Sequence, residues 1–416
     1  MQSLKLLKTF QIPSLNLMQN KLKKFSGLEF IRGFAALMVM AGHFFLNLND
    51  LEDLRGNYLT SFLVNWGRES VLLFFILSGV VVHYSFYRKN RTSLQFIKER
   101  IIRLHPTLII NVLICIVIEF YFFKGMPSLN MIIGNFIPYS TMPGYLAPLF
   151  WNTNAAIWSL TFEVFFYFVF GLIIIRNKAI SDRNLFIWLF ISLLSIYYYF
   201  NPLSNKLINH FVMMLSFSPV WIIGFLIYKY KDFVYTNTKL ALLSVSILPL
   251  VSRIHIFSDS YYNPIMFILF SLASVPLFVL LMNSSNIRAE HNKVYSYISL
   301  SFIYILGILF LVFDPNYTKT SKVLYCVLPI LTILVVNVTL VFKVITAFVK
   351  QTIIPFFGYF GKYSYSIYLF HTPFIKLSNF FNIPLMIKVI LIITATFSVS
   401  YAIERYLQPY LNKKLI

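Results

Sequence analysis

Apolar stretches long enough, or nearly long enough, to cross a bilayer recur from one end of the chain to the other. They fall at about 30–48, 66–87, 107–123, 156–175, 185–201, 211–228, 239–256, 262–282, 294–313, 322–342, 355–375 and 385–405. Inside hydrocarbon no water is available to backbone N–H and C=O groups, so stretches of this length must close their own hydrogen bonds as helices. The chain is therefore read as all-α, a polytopic transmembrane bundle of about 10–12 spanning helices, with the shorter stretches as candidates for re-entrant or merged segments. Composition agrees: 58% hydrophobic and 12% charged residues, with a mean hydropathy of +0.74, exclude an ordinary soluble domain.

A net charge of +21 would suggest a nucleic-acid partner in a soluble protein. Here the basic residues gather in the connections RKNR (88–91), RNK (176–178), KYK (229–231), NIRAEHNK (286–293) and NKK (412–414). That distribution marks a cytoplasmic side, places both termini on it, and leaves no nucleic-acid partner to expect. Residues 1–25 hold Lys5, Lys8, Lys21, Lys23 and Lys24 without an acidic residue, and read as a basic cytoplasmic arm on anionic lipid ahead of a first helix that is kept. Residues 26–410 form the transmembrane domain and 411–416 a short cytoplasmic tail. Aromatic-rich spans suit a bacterial cytoplasmic (inner) membrane. Cys115 and Cys326 lie in separate apolar runs and support neither a disulfide framework nor a metal site.

The outer connection near 124–155 is punctuated by Pro127, Pro138, Pro143 and Pro148 and by Gly125, Gly134 and Gly144, too many breaks for a span. It reads either as a lid over an outer cavity or as an irregular surface loop. Residues 91–106 form a basic amphipathic segment with Phe96, Arg100 and Arg103 on one face, and Pro106 is expected to end it. Its two guanidiniums can serve an anion or simply anchor the segment on lipid phosphates.

Arg32 and His43 share one apolar segment, LEFIRGFAALMVMAGHFF. Eleven helical steps bring the two side chains to within about 20° of one face, roughly 16 Å apart along the axis. An ionisable group in hydrocarbon is expensive enough to be a functional hypothesis by default, and imidazole, titrating near pH 6.5 or thereabouts, is the natural general base. Glu163, in AAIWSLTFEVFF, lies at a depth comparable with His43 and needs a partner: it can orient His43, bind acceptor hydroxyls or pair with a cation. Ser364, Tyr368 and His371 recur at i, i+4 and i+7 as a polar stripe, which also fits helix-to-helix hydrogen bonding. His83 and the Glu404–Arg405 pair read as interfacial groups. A nucleophile elbow, a Gly-rich phosphate loop and metal-binding motifs are missing from the sequence.

Taken together, these segments resemble the integral membrane acyltransferase family 3. The marks run in order: Arg32-x10-His43; Phe74, Phe75, Leu77, Ser78 and Gly79 as FF-x-LSG; Phe96, Arg100, Arg103 and Pro106; Trp158, Ser159, Leu160 and Glu163 as WSL-x2-E; Ser364 through His371 to Pro373; and Tyr401 with Glu404. Two positions depart from the pattern: Glu29 where many members have Asp, and Leu72 where many have a polar residue. The resemblance implies about ten spans and a transfer of an acyl group, usually acetyl, from cytoplasmic acyl-CoA to a hydroxyl of a surface carbohydrate such as O-antigen, capsule or exopolysaccharide. It makes His43 and Glu163 the catalytic pair, and Arg32, Arg100 and Arg103 the contacts to the donor. Ser364, Tyr368, His371, Ser78, Trp158 and Glu404 become acceptor or supporting groups. Acetyl-CoA is then a co-substrate, and no permanently bound cofactor is expected. The competing expectation is a transporter or flippase of a lipid-linked sugar, which would line its pathway with the same polar residues and need no acyl donor.

Overall fold

The computed structural model describes residues 13–54, 58–89, 91–137, 150, 152–175, 180–253, 262–282, 292–313 and 319–415. Residues 1–12 of the basic arm, the basic connections at 176–178 and 286–291, and residues 138–149 of the long outer connection lie outside them. The described residues are helical almost throughout, and the β pairing among them is one isolated bridge between Phe150 and Asn154.

In chain order the helices are α1 (Pro13–Asn47), α2 (Tyr58–Lys89), α3 (Ser93–Phe122), α4 (Leu129–Phe136), α5 (Trp158–Ile174), α6 (Asp182–Phe200), α7 (Lys206–Tyr230) and α8 (Thr238–Val251). They continue as α9 (Pro264–Ala273), α10 (Val275–Met282), α11 (Lys293–Phe313), α12 (Lys319–Asn337), α13 (Thr339–Phe348), α14 (Ile354–Gly361), α15 (Ser364–Ser378), α16 (Leu385–Ala402) and α17 (Gln408–Leu415). Among the described residues nine helices are long and apolar enough to span, or ten when the bent pair α9–α10 is taken as one span. The lower end of the sequence range is reached because several apolar runs break. The run at 239–256 gives a 14-residue helix, that at 322–342 breaks at Val338, and that at 355–375 is divided by the turn between Gly361 and Ser364.

Helices α2, α5 and α7 are the most enclosed spans, while α6, α11 and α13–α14 show most of their surface to the surroundings. Between α2, α5 and α7 lies a cluster of aromatic rings: Phe75 edge-on to Phe166, Phe86 edge-on to Phe170 and Phe162 tilted against Phe217, closed by Trp221. Without a hydrophobic drive between helices in lipid, close packing and interhelical hydrogen bonds must hold such a bundle. The α2–α7 crossing uses glycine from both sides. A Cβ on Gly79 would lie 2.2 Å from the Trp221 carbonyl oxygen, and one on Gly224 would lie 2.0 Å from that of Ile76. Because these obstacles are backbone, Gly79→Ala is expected to cost about 1–3 kcal/mol through forced helix separation. Thermal unfolding in detergent checks this, with the midpoint falling relative to wild type; an unchanged midpoint would show that the crossing tolerates the methyl.

Helix α3 starts at a capping box, in which the Thr92 hydroxyl accepts from Gln95 N and the Gln95 side chain accepts from Thr92 N. It then runs straight through Pro106, which the sequence reading took as its end. Proline supplies no N–H to the carbonyl four residues back, and its ring opens the turn. The carbonyl it fails to bond is that of Ile102; the two carbonyls after it in the same turn are braced by neighbouring helices, with Gln408 Nε2 donating to the Arg103 carbonyl (3.1 Å) and the Tyr365 hydroxyl to that of Leu104 (2.9 Å). The basic segment is thus the first part of a span, which carries Arg100 and Arg103 into the bundle.

Candidate active site

Five helices, α1, α2, α3, α5 and α15, enclose a cavity of about 140 Å³. Of the residues singled out in the sequence, Arg32, Ser78, Arg100, Arg103, Glu163, Ser364 and Tyr368 line it. His43, His371, Trp158 and Glu404 do not.

The arginines are held in place by their surroundings. Arg32 Nη1 pairs with Glu29 at 2.9 Å, one turn earlier on α1. Arg100 donates to Ser85 Oγ at 3.0 Å and lies over the rings of Phe96 and Tyr167, at 5.2 and 5.1 Å from their centroids. Arg103 pairs with Glu404 at 2.6 Å and covers the Tyr365 ring, yet keeps 39% of its side chain exposed. Glu404 reaches it from a π-helical turn, Ile403–Leu407, and also accepts from Ser366 Oγ at 2.9 Å. A π turn inserts one extra residue into the helix and is a common device at functional sites. Glu404 continues the buried stripe of α16, Lys388, Ile392, Thr396 and Ser400, into this turn. Planar guanidiniums held this way suit phosphate oxygens better than lysines would.

Beside Arg100 the hydroxyls form a directed chain. Trp221 Nε1 donates to Ser78 Oγ (3.2 Å), Ser78 donates to the Tyr167 hydroxyl (2.9 Å), and Tyr167 donates to the Glu163 carboxylate. Every donor therefore points toward Glu163. Tyr167 was missed in the sequence, although it lies one helical turn after Glu163 on the same face; a chain with 27 tyrosines and 45 phenylalanines hides one more aromatic. Trp158 packs edge-on against Phe162 and Tyr262 and serves as a wall behind the cavity. His83 sits among the rings of Tyr87, Phe225 and Tyr228, away from the lining.

Helix α15 changes role along its length. Ser364 and Tyr368 line the cavity, and the Tyr368 hydroxyl donates to the Ala156 carbonyl while Ser159 sits 2.7 Å from it. Beyond the Phe74–Tyr368 ring pair (5.7 Å), His371 stacks on His43 with centroids 4.9 Å apart and planes 18° from parallel. Glu163 therefore does not orient His43; the second histidine does. His43 Nδ1 lies 2.7 Å from His371 Nε2 and 3.1 Å from Thr372 Oγ1.

Partners fix which nitrogen carries the proton. His371 Nδ1 lies 2.9 Å from the Ile367 carbonyl, which can only accept, so Nδ1 bears the hydrogen. Neutral His371 then offers its Nε2 as an acceptor; the Thr372 hydroxyl also lies 3.0 Å from it, but two nitrogen lone pairs would repel at the 2.7 Å separation, so His43 donates from Nδ1. That leaves the Nε2 lone pair of His43 to receive a proton from elsewhere. The helix ends bearing this pair are tied together: Asn379 donates to the Asn47 carbonyl (2.8 Å) and accepts from Asn49 N (3.2 Å), and Lys388 pairs with Asp50 (2.7 Å).

A family model described as an acyltransferase domain matches residues 25–405, nearly the whole chain. No curated protein and no solved structure matches it.

Proposed function

The chain belongs to this acyltransferase family and is a multi-pass membrane protein, and from that premise we propose that it moves an acyl group from acyl-CoA on the cytoplasmic side to a hydroxyl presented at the other side of the membrane. Acetyl is the expected group and a surface carbohydrate the expected acceptor. The observation that carries this reading is the committed Nδ1 of His43, which leaves Nε2 as a base beyond the Phe74–Tyr368 ring pair of an arginine-lined cavity.

Arg32, Arg100 and Arg103 hold the donor's phosphates, and the pantetheine arm extends along the cavity past Ser78 and Glu163 toward Phe74 and Tyr368. Glu163, already fixed by Tyr167, faces the polar amides of that arm. The thioester passes the Phe74–Tyr368 ring pair to reach His43. The acceptor hydroxyl then attacks the thioester carbonyl as His43 Nε2 takes its proton. Collapse of the tetrahedral adduct breaks the C–S bond, and the same proton returns from Nε2 to the leaving thiolate. Such proton transfer contributes about 10²–10⁴ in rate. The competing route is attack by Nε2 itself to give a transient acyl-histidine. Rapid-quench trapping with labelled acetyl-CoA separates the two, and direct transfer leaves no label on the protein above background.

The donor site makes its own prediction. Arg32→Ala removes a guanidinium from the cavity while leaving the histidine pair about 16 Å away along α1, so acetyl-CoA affinity should fall by about tenfold, the loss of one charge-assisted contact. Titration calorimetry on the detergent-solubilised protein reads this directly. An unchanged donor isotherm would remove Arg32 from the donor site.

A further inference from the structure

Pro373 lies two residues after His371, inside α15. In a regular helix the N–H of residue 373 would bond the carbonyl of Leu369, and proline has none to give. A buried carbonyl left without a donor is costly, and Leu369 is fully buried. Two asparagines supply what is missing. Asn111 Nδ2, from α3, and Asn154 Nδ2, from the segment before α5, each donate to the Leu369 carbonyl at 2.8 Å.

The asparagines are themselves oriented without ambiguity. Asn154 Oδ1 accepts from the Ala156 amide at 3.1 Å, so its other terminal atom must be the nitrogen that faces Leu369. The same nitrogen donates to Asn111 Oδ1 at 3.0 Å, which sets the Asn111 amide as well. Both side chains are fully buried. Around them the segment is clamped further: Thr153 Oγ1 and Asn152 Nδ2 donate to Glu119 at 3.0 and 3.2 Å, and Tyr368 reaches the Ala156 carbonyl.

We infer that Asn111 and Asn154 are positioning residues for the His43–His371 pair, acting through the Leu369 carbonyl that Pro373 frees. The opened turn, Leu369 to Pro373, contains His371, so whatever fixes the direction of that turn fixes where the imidazole stacks on His43. Asn111 also lies about 12 Å beyond Arg103 on α3. One latch therefore ties the helix that presents two donor-site arginines to the helix that orients the base. Its catalytic consequence rests on the acyl-transfer reading of His43; the latch itself does not.

Asn111→Leu and Asn154→Leu remove the donors at similar volume, and Pro373→Ala restores an N–H to the Leu369 carbonyl from within the helix. At matched membrane abundance, each leucine variant should lower kcat for transfer of labelled acetyl by about tenfold or more while leaving acetyl-CoA affinity near wild type. In the Pro373→Ala background the same substitutions should change kcat by less than about twofold, because the carbonyl no longer depends on them. Equal losses in both backgrounds, or none in the wild-type background, would overturn the inference. Hydrogen exchange on the purified protein decides the latch independently of turnover. Asn111→Leu, on another helix, should speed exchange in residues 152–157 and 369–374, and unchanged exchange in both would refute it. Should the wild type transfer no acetyl while exchange rises as expected, the latch stands and the function reading falls.

Discussion

His43→Ala should lower acyl transfer by about 10²–10⁴-fold while leaving acetyl-CoA binding close to wild type. The size follows from what is removed. His43 Nε2 is the lone pair left over once Nδ1 is committed to His371 and Thr372. The residues lining the cavity include no imidazole to take over, and Glu163 is occupied by Tyr167. Donor binding is spared because the arginines and His43 sit at different depths of the bundle. Turnover with labelled acetyl-CoA in membranes, paired with a donor titration of the purified protein, separates these effects. A variant that loses donor affinity in proportion to turnover would instead make His43 a binding residue.

The second large effect belongs to His371. His371→Phe preserves a ring to stack on His43 but deletes the acceptor of the 2.7 Å bond. Thr372 Oγ1 still lies 3.1 Å from His43 Nδ1, so orientation is loosened and not abolished. The expected loss in kcat is accordingly smaller than for His43→Ala, about 10–10²-fold, in the range that misplacement of a reacting group produces. His371→Gln, whose amide oxygen can accept from Nδ1, should recover part of it. Steady-state kinetics across the three proteins checks the order wild type, then Gln, then Phe. If Phe and Gln are equally impaired, His371 acts by more than accepting this bond.

Much of the cavity could be read in the sequence because charge and hydroxyls are expensive in apolar helices and therefore conspicuous. Arg32, Arg100, Arg103, Glu163, Ser364 and Tyr368 each stood out on such a helix, and one cavity gathers them. Spacing along a single helix correctly put Arg32 and His43 on α1, and Ser364, Tyr368 and His371 on α15. What spacing cannot supply is the neighbour across a helix interface. The partner of His43 is 328 residues away, and Glu163, which sequence depth alone had placed near it, turns to its own helix instead.

The two prolines show the same limit from another side. In water either Pro106 or Pro373 would favour a helix end, since a freed carbonyl finds solvent. Within the bundle the Leu369 carbonyl that Pro373 frees finds Asn111 and Asn154, the turn before Pro106 is braced by Gln408 and Tyr365 at the Arg103 and Leu104 carbonyls, and both helices continue. None of these donors has a local signature. Each is an ordinary polar residue until the helix packed against it is known.

The most direct test of the account is the base-labile O-acetyl content of surface glycans in cells carrying the wild-type gene, a deletion, or His43→Ala at matched membrane abundance. The account predicts one ester that disappears in the deletion and in His43→Ala alike. An ester that disappears in the deletion but persists at wild-type level in His43→Ala would contradict it, because transfer would then proceed without the base on which the mechanism depends.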